Sequence, residues 1–192
     1  MNRFVTLATL FAFAGALLAG CSSEKAATVK PQENGGKITV YLLPKKKGIT
    51  YFTSCAEGAQ SAADELGDVE LVYDGPTDGS PEAAARMIDQ WTLKKADVIA
   101  VSPNDPAVVG ESMKKARAAG VKVITWDADA AKDAREFLVN QATPQEIGYA
   151  LVDAMAKDLG GEKASGEVAI VTATLTAANQ NEWIKFIKER LP

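Results

Sequence analysis

Short, continuously apolar runs alternate along the chain with stretches of helical spacing, and this narrows the fold more than any other feature of the sequence. ITVYLL at 38–43, VELVY at 69–73, ADVIAVS at 96–102, VKVITW at 121–126 and EVAIVTA at 167–173 are rich in β-branched residues and too short for buried helices. Runs of this kind are strands covered on both faces, as in a parallel sheet. Helical spacing occupies 52–66, 81–95, 106–119, 144–159 and 179–191. Ser80-Pro81 and Thr143-Pro144 are start signals, and Gly67, Gly120 and the pair Gly160-Gly161 are stops. A short apolar piece, 137–140, lies between two of these helices. The alternation predicts an α/β fold, a doubly wound parallel sheet with right-handed crossovers. Ligands bind such sheets beyond the carboxyl ends of the strands. Function is therefore expected in the loops 44–51, 74–79, 103–105, 127–131 and 174–178.

The alternation begins only after residue 36, and what precedes it reads differently. Met1-Asn2-Arg3 is a positive head, followed by an apolar run to Leu18 that is shorter than the ~20 residues of a membrane span. Charged start, apolar middle and small residues at the exit describe a signal peptide, 1–20. Its exit, Leu18-Ala19-Gly20-Cys21, resembles the lipobox of bacterial lipoproteins, in which the Cys is diacylated and becomes the first residue. Residues 21–36 are polar, contain Pro31 and end in Gly35-Gly36, as expected of a flexible tether. With Cys21 carrying lipid, Cys55 is the only free thiol; it reads as a small packing residue.

Composition removes whole classes of function. The 192 residues include no His, which excludes Ser-His-Asp and Cys-His catalysis and His metal ligands. Two Cys do not make a zinc site without other donors. A net charge of −4 lacks the basic excess of nucleic-acid binders. The loops contain no GxGxxG, no P-loop and no GxSxG elbow, so no dinucleotide, nucleotide or hydrolase fingerprint is present. No cofactor and no metal are expected.

The strand-end loops hold polar and aromatic residues instead. Lys45 follows the first strand, where an ammonium can donate to a ligand oxygen; Lys46 and Lys47 read as a solvated turn. Tyr51 and Phe52 begin the next helix, and an aromatic ring there serves equally as core or as a stacking face for a sugar. Asn104 lies in the loop after the third strand. Trp126-Asp127 ends the fourth: the ring suits C–H faces and the carboxylate accepts from hydroxyls, with a turn or cap role as the alternative for Asp127. Asp127 with Asp129 is a weak signal for Ca²⁺ or Mg²⁺. Asn179, Gln180 and Asn181 both donate and accept, as hydroxyl recognition needs; Asn179 also reads as a helix cap.

The blocks PKKKGITYFTS, VYDGPT, AVSPND, GVKVITWDAD, VNQATPQEIG and TAANQNEW together resemble the periplasmic sugar-binding proteins of ABC importers, within them the rhamnose-binding and autoinducer-2-binding branch. The resemblance covers everything from Lys37 onward, and the TWDAD and NQNEW blocks carry it most specifically. It implies two similar α/β lobes with a ligand clamped between them: 37–138 as the first lobe, 139–143 as a hinge crossing and 144–192 as the start of a second lobe that the chain leaves incomplete. Carried over position by position, the autoinducer-2 branch implies Lys45, Asp127, Asn179 and Gln180 as ligand contacts, with Phe52, Trp126 and Asn104 as further candidates. Asn179 stands where that branch has Asp. An amide donates as well as accepts, which favours a deoxyhexose, pentose or similar sugar over the furanosyl signal. The resemblance further implies a monomer that hands sugar to an ABC permease, in the periplasm or on the cell surface, held to the membrane through Cys21; a binder of autoinducer-2 or a receptor-only sugar sensor is the alternative. With half the clamp missing, this chain alone is expected to bind sugar weakly or not at all. A sugar-responsive repressor would share the fold but needs a helix-turn-helix head where the lipobox and tether stand.

Overall fold

The computed structural model describes residues 36–163 and 165–191. The signal peptide, Cys21 and almost all of the tether lie outside them. Ten main elements follow in order: β1 (Ile38–Leu43), α1 (Thr50–Leu66), β2 (Val69–Tyr73), α2 (Pro81–Leu93), β3 (Val98–Val101), α3 (Pro106–Ala118), β4 (Lys122–Trp126), β5 (Leu138–Val139), α4 (Pro144–Asp158) and α5 (Ala178–Arg190). The five strands form one sheet in the order β2-β1-β3-β4-β5, and every pairing is parallel.

Strand alternation divides the core between the two faces of the sheet. Leu43, Ile99, Val101 and Val123 pack on one side against Ile88 and Trp91 of α2 and Val109 and Met113 of α3. Leu42, Ala100 and Trp126 pack on the other against Phe52 and Ala56 of α1. This is the doubly wound arrangement that the alternating pattern predicts.

Helices α2 and α4 begin at the signals read from the sequence, and α3 begins in the same way at Asp105-Pro106. The Ser80 side chain accepts the Ala83 N–H, Asp105 accepts those of Ala107 and Val108, and Thr143 forms a reciprocal capping box with Glu146, each just before a Pro at the first helical position. Helices α1 and α5 have no side-chain cap at all. The expectation that Asn179 caps the last helix is corrected: Ala177 holds the cap position and Asn179 sits inside the first turn.

A second correction concerns 167–173, which is not a strand. A strand exists only through a ladder, and none of the five strands borders this segment. Val171 is 93 % exposed. The short piece at 137–140 becomes β5, two residues that add to the β4 edge through Trp126 opposite Val139.

Register positions the functional loops. Leu43 lies opposite Val101, and Val101 opposite Thr125. The carboxyl ends of β1, β3 and β4 therefore stand side by side, and the residues that follow them meet.

Candidate functional site

Lys45 leaves β1 beside the fully buried Pro44. Ser102 is the first residue beyond β3, and Asp127 the first beyond β4. Asp127 has a backbone φ of 63°, in the left-handed region. The Ala128 N–H donates to the Trp126 carbonyl at 2.6 Å, closing a three-residue γ-turn around it. The Asp127 N–H donates to the Val139 carbonyl of β5 at 3.2 Å. Both sides of the turn are thus tied to the sheet, and the side chain points back across the strand ends toward Lys45.

These side chains form a continuous polar chain. The Lys45 Nζ is 3.0 Å from Asp127 Oδ2, with side-chain exposures of only 12 % and 6 %. The same ammonium donates to Asn179 Oδ1 at 2.8 Å. Asn179 Nδ2 in turn donates to the Asp127 carbonyl at 3.4 Å. The carboxamide uses both of its ends here, which a carboxylate at that position does not do. Ser102 Oγ donates to Asp127 Oδ2 at 2.8 Å in a buried contact.

A cavity of about 520 Å³ opens beside this chain, and Lys45, Phe52, Asn104, Asp127, Asn179 and Gln180 all line it. Phe52 is a buried ring that presents one side there. Asn104 is anchored by donating to the Gly79 carbonyl at 2.7 Å. Gln180 accepts at Oε1 from Thr172 Oγ at 2.6 Å and from the Ala173 N–H at 2.8 Å. It thereby pins the 172–174 segment, whose Thr174 also faces the cavity, to the start of α5. Helices α1 and α5 both contribute residues to the lining, and in the first turn of α5 the Gln180 N–H donates to Asn179 Oδ1 at 3.0 Å.

Trp126 does not join the lining, a correction to its candidacy. Its position in β4 faces the α1 side of the sheet, where it is buried edge-on to Phe52 with ring centroids 5.7 Å apart. Its indole N–H donates to the Ala100 carbonyl at 3.2 Å. The aromatic wall on the α5 side is Trp183, which sequence reasoning missed. The signal was present: Trp183 is four residues after Asn179, hence on the same helical face. Lys46 also lines the cavity, although it reads as a solvated turn residue; Lys47 pairs on the surface with Asp74 at 2.8 Å.

Tyr51, at the mouth, has its phenol pushed well above the ordinary tyrosine value, first by burial and then by the neighbouring Asp127 carboxylate. It stays protonated at neutral pH and is a donor. Asp129 is committed elsewhere. Arg135 binds it through both ends of its guanidinium, at 2.8 and 2.6 Å, and Thr125 Oγ adds a third bond at 2.8 Å. Among the described residues no cluster of three or more His, Cys, Asp or Glu forms, and the acid pair of this loop is divided between two tasks.

A ring wall, a buried ion pair and several amides around one cavity fit a small polyhydroxylated molecule. Comparison with known proteins agrees with that chemistry. The family described as periplasmic binding protein domain matches residues 40–192. The ribose import binding protein RbsB of Escherichia coli K12 is 28 % identical over 147 residues, 76 % of this chain and 48 % of that protein. LsrB from Clostridium saccharobutylicum, in complex with AI-2, superposes with a TM-score of 0.71 at 27 % identity, over 79 % of this chain and 48 % of LsrB. An ABC transporter solute binding protein from Clostridium phytofermentas with bound L-rhamnose gives a TM-score of 0.74 at 28 % identity, over 80 % of this chain and 46 % of the other. The chain spans about half the length of these relatives.

Proposed function

The chain belongs to the periplasmic binding protein domain family, and on that premise we propose that it captures a small neutral sugar for an ABC importer. The protein would be extracytoplasmic and monomeric, tethered through lipid on Cys21. It binds and releases, and does no chemistry. Residues 37–138 form one lobe of the clamp, 139–143 the crossing, and 144–192 the beginning of the other lobe.

The observation that carries this reading is the chain of contacts from Asp127 through Lys45 to Asn179 along one cavity. Its ammonium and carboxylate neutralise each other, so the cavity favours an uncharged ligand rich in hydroxyls. Such a ligand donates to the Asp127 carboxylate, accepts from Lys45 and the amides, and lays its C–H faces on Phe52 and Trp183. The donor-and-acceptor character of Asn179 favours a pentose or deoxyhexose over the furanosyl signal. Similarity to a relative solved with L-rhamnose and to a ribose import protein supports the same classes, and similarity to LsrB in complex with AI-2 keeps the signal as the alternative.

A thermal-shift panel tests the reading. L-Rhamnose, D-ribose, D-xylose, D-galactose and AI-2 are each taken to high millimolar concentration, because binding is expected to be weak. A ligand that binds only the folded state raises Tm by mass action. One sugar should raise it, and Asp127→Ala should abolish the rise. A flat panel, or a rise that survives Asp127→Ala, sinks the proposal.

A further inference from the structure

Asp127 is held by more than its charge partner. Its backbone is fixed by the γ-turn and by the bond to β5, so only rotation of the side chain remains free. Ser102 closes that freedom. It is 2 % exposed, stands outside the cavity lining and has a single hydroxyl proton, which it gives to Asp127 Oδ2. That oxygen also faces the Lys45 ammonium. With both lone-pair directions of Oδ2 engaged, Oδ1 is the atom available to a ligand.

We propose that Ser102 is the positioning residue of this site: its hydroxyl locks the Asp127 carboxylate in the one orientation that presents Oδ1 to the cavity and keeps Lys45 aligned between Asp127 and Asn179. The role rests on the sugar-cleft reading and goes beyond it, because Ser102 itself touches no ligand. Two physical points support it. A hydroxyl donating to a carboxylate is a charge-assisted bond, stronger and shorter than a neutral one. Among the described residues the hydroxyl of this buried serine has Asp127 as its partner, so that bond is what its hydroxyl does.

The test uses the full chain with Ser102→Ala and Ser102→Thr. The first readout needs no ligand: the ¹³Cγ signal of Asp127, assigned by its loss in Asp127→Ala. The signal should move or broaden in Ser102→Ala and return toward its original position in Ser102→Thr. The second is affinity for whichever panel sugar binds, expected to weaken about tenfold in Ser102→Ala, with recovery in Ser102→Thr. Tm without sugar should fall by a few degrees in Ser102→Ala, because a buried charge-assisted bond is lost. A merely structural serine would lower Tm in the same way but leave the carboxylate signal and the affinity in place. An unmoved signal, or unchanged affinity, overturns the proposal. If Ser102→Thr does not fold, the Ser102→Ala signal still decides. If no sugar binds the unmodified chain, the sugar-cleft reading fails by itself, and the carboxylate signal still decides whether Ser102 holds Asp127.

Discussion

Asp127 and Asp129 stand two positions apart in one loop and are put to different uses. Asp127 sits in a turn that aims it into the cavity, and Asp129 is tied back onto the protein by Arg135, Thr125 and the Ala130 N–H. Burial is the largest single influence on the Asp129 carboxyl and pushes it up, but these three donors together outweigh it and hold it below the ordinary carboxylate range. Its folded value is thus below its unfolded value of about 4. The stabilisation is fully present above that unfolded value and is lost as pH falls through the lower folded one. Asp129→Asn should cost about 1 kcal/mol at neutral pH, a modest figure because the carboxylate is 37 % exposed. It should also flatten the acid limb below about pH 4, which urea midpoints measured against pH will read. An acid limb as steep as that of the unmodified chain would show that Asp129 does not carry it. Lys45 and Asp127 are legible as candidates because each follows a strand, and Asn179 because its amide both donates and accepts. It does not show that Trp126 turns to the core side, since the face a strand-end residue takes depends on register and not on residue type.

The pairing of α4 with α5 rests on one small residue. A Cβ on Gly148 would come within 2.6 Å of the Phe186 Cβ and 2.9 Å of the Trp183 carbonyl. The two helices also join through Arg190 to Asp153 at 2.8 Å and through Tyr149 Oη, which donates to Glu189 at 2.7 Å. A backbone carbonyl cannot yield as a flexible side chain can, so Gly148→Ala must push α5 outward. The expected cost is about 1–3 kcal/mol. The same shift displaces Asn179 and Trp183, one turn apart on α5, so sugar affinity should fall along with stability. Gly148→Ala with unaltered melting and unaltered affinity would mean the helices are not packed this closely. Helices of this kind are legible in sequence because caps, prolines and stops are local. The 167–173 segment shows the opposite case. Its composition is that of a strand, but a strand is made by its neighbour, and composition does not say whether a neighbour is present.

The parallel sheet was readable in advance because strands buried on both faces leave continuous apolar runs, and each run sits between helices that the same rules locate. Less legible was how unevenly the fold is held together. Ile99, Val101 and Val123 are completely buried at the centre of the sheet. Helix α5 has no buried residue, and α4 has only Gly148 and Val152. Beyond their mutual packing, the pair is linked to the strand-end loops by the polar contacts of Asn179 with Lys45 and Asp127. Opening free energies follow buried apolar contact, so regions poor in it open first. Hydrogen exchange should therefore find β3 and β4 amides protected to the level of global unfolding and α5 amides exchanging much faster. A bound sugar bridging Asp127 and Asn179 should raise protection in the first turn of α5 and leave β3 unchanged. Equal protection of α5 and β3 without sugar would mean that α5 is part of the cooperative core. A clamp needs one side that moves at low cost, and the side with little buried apolar surface, carrying Asn179 and Trp183, is the one whose exchange should respond to ligand.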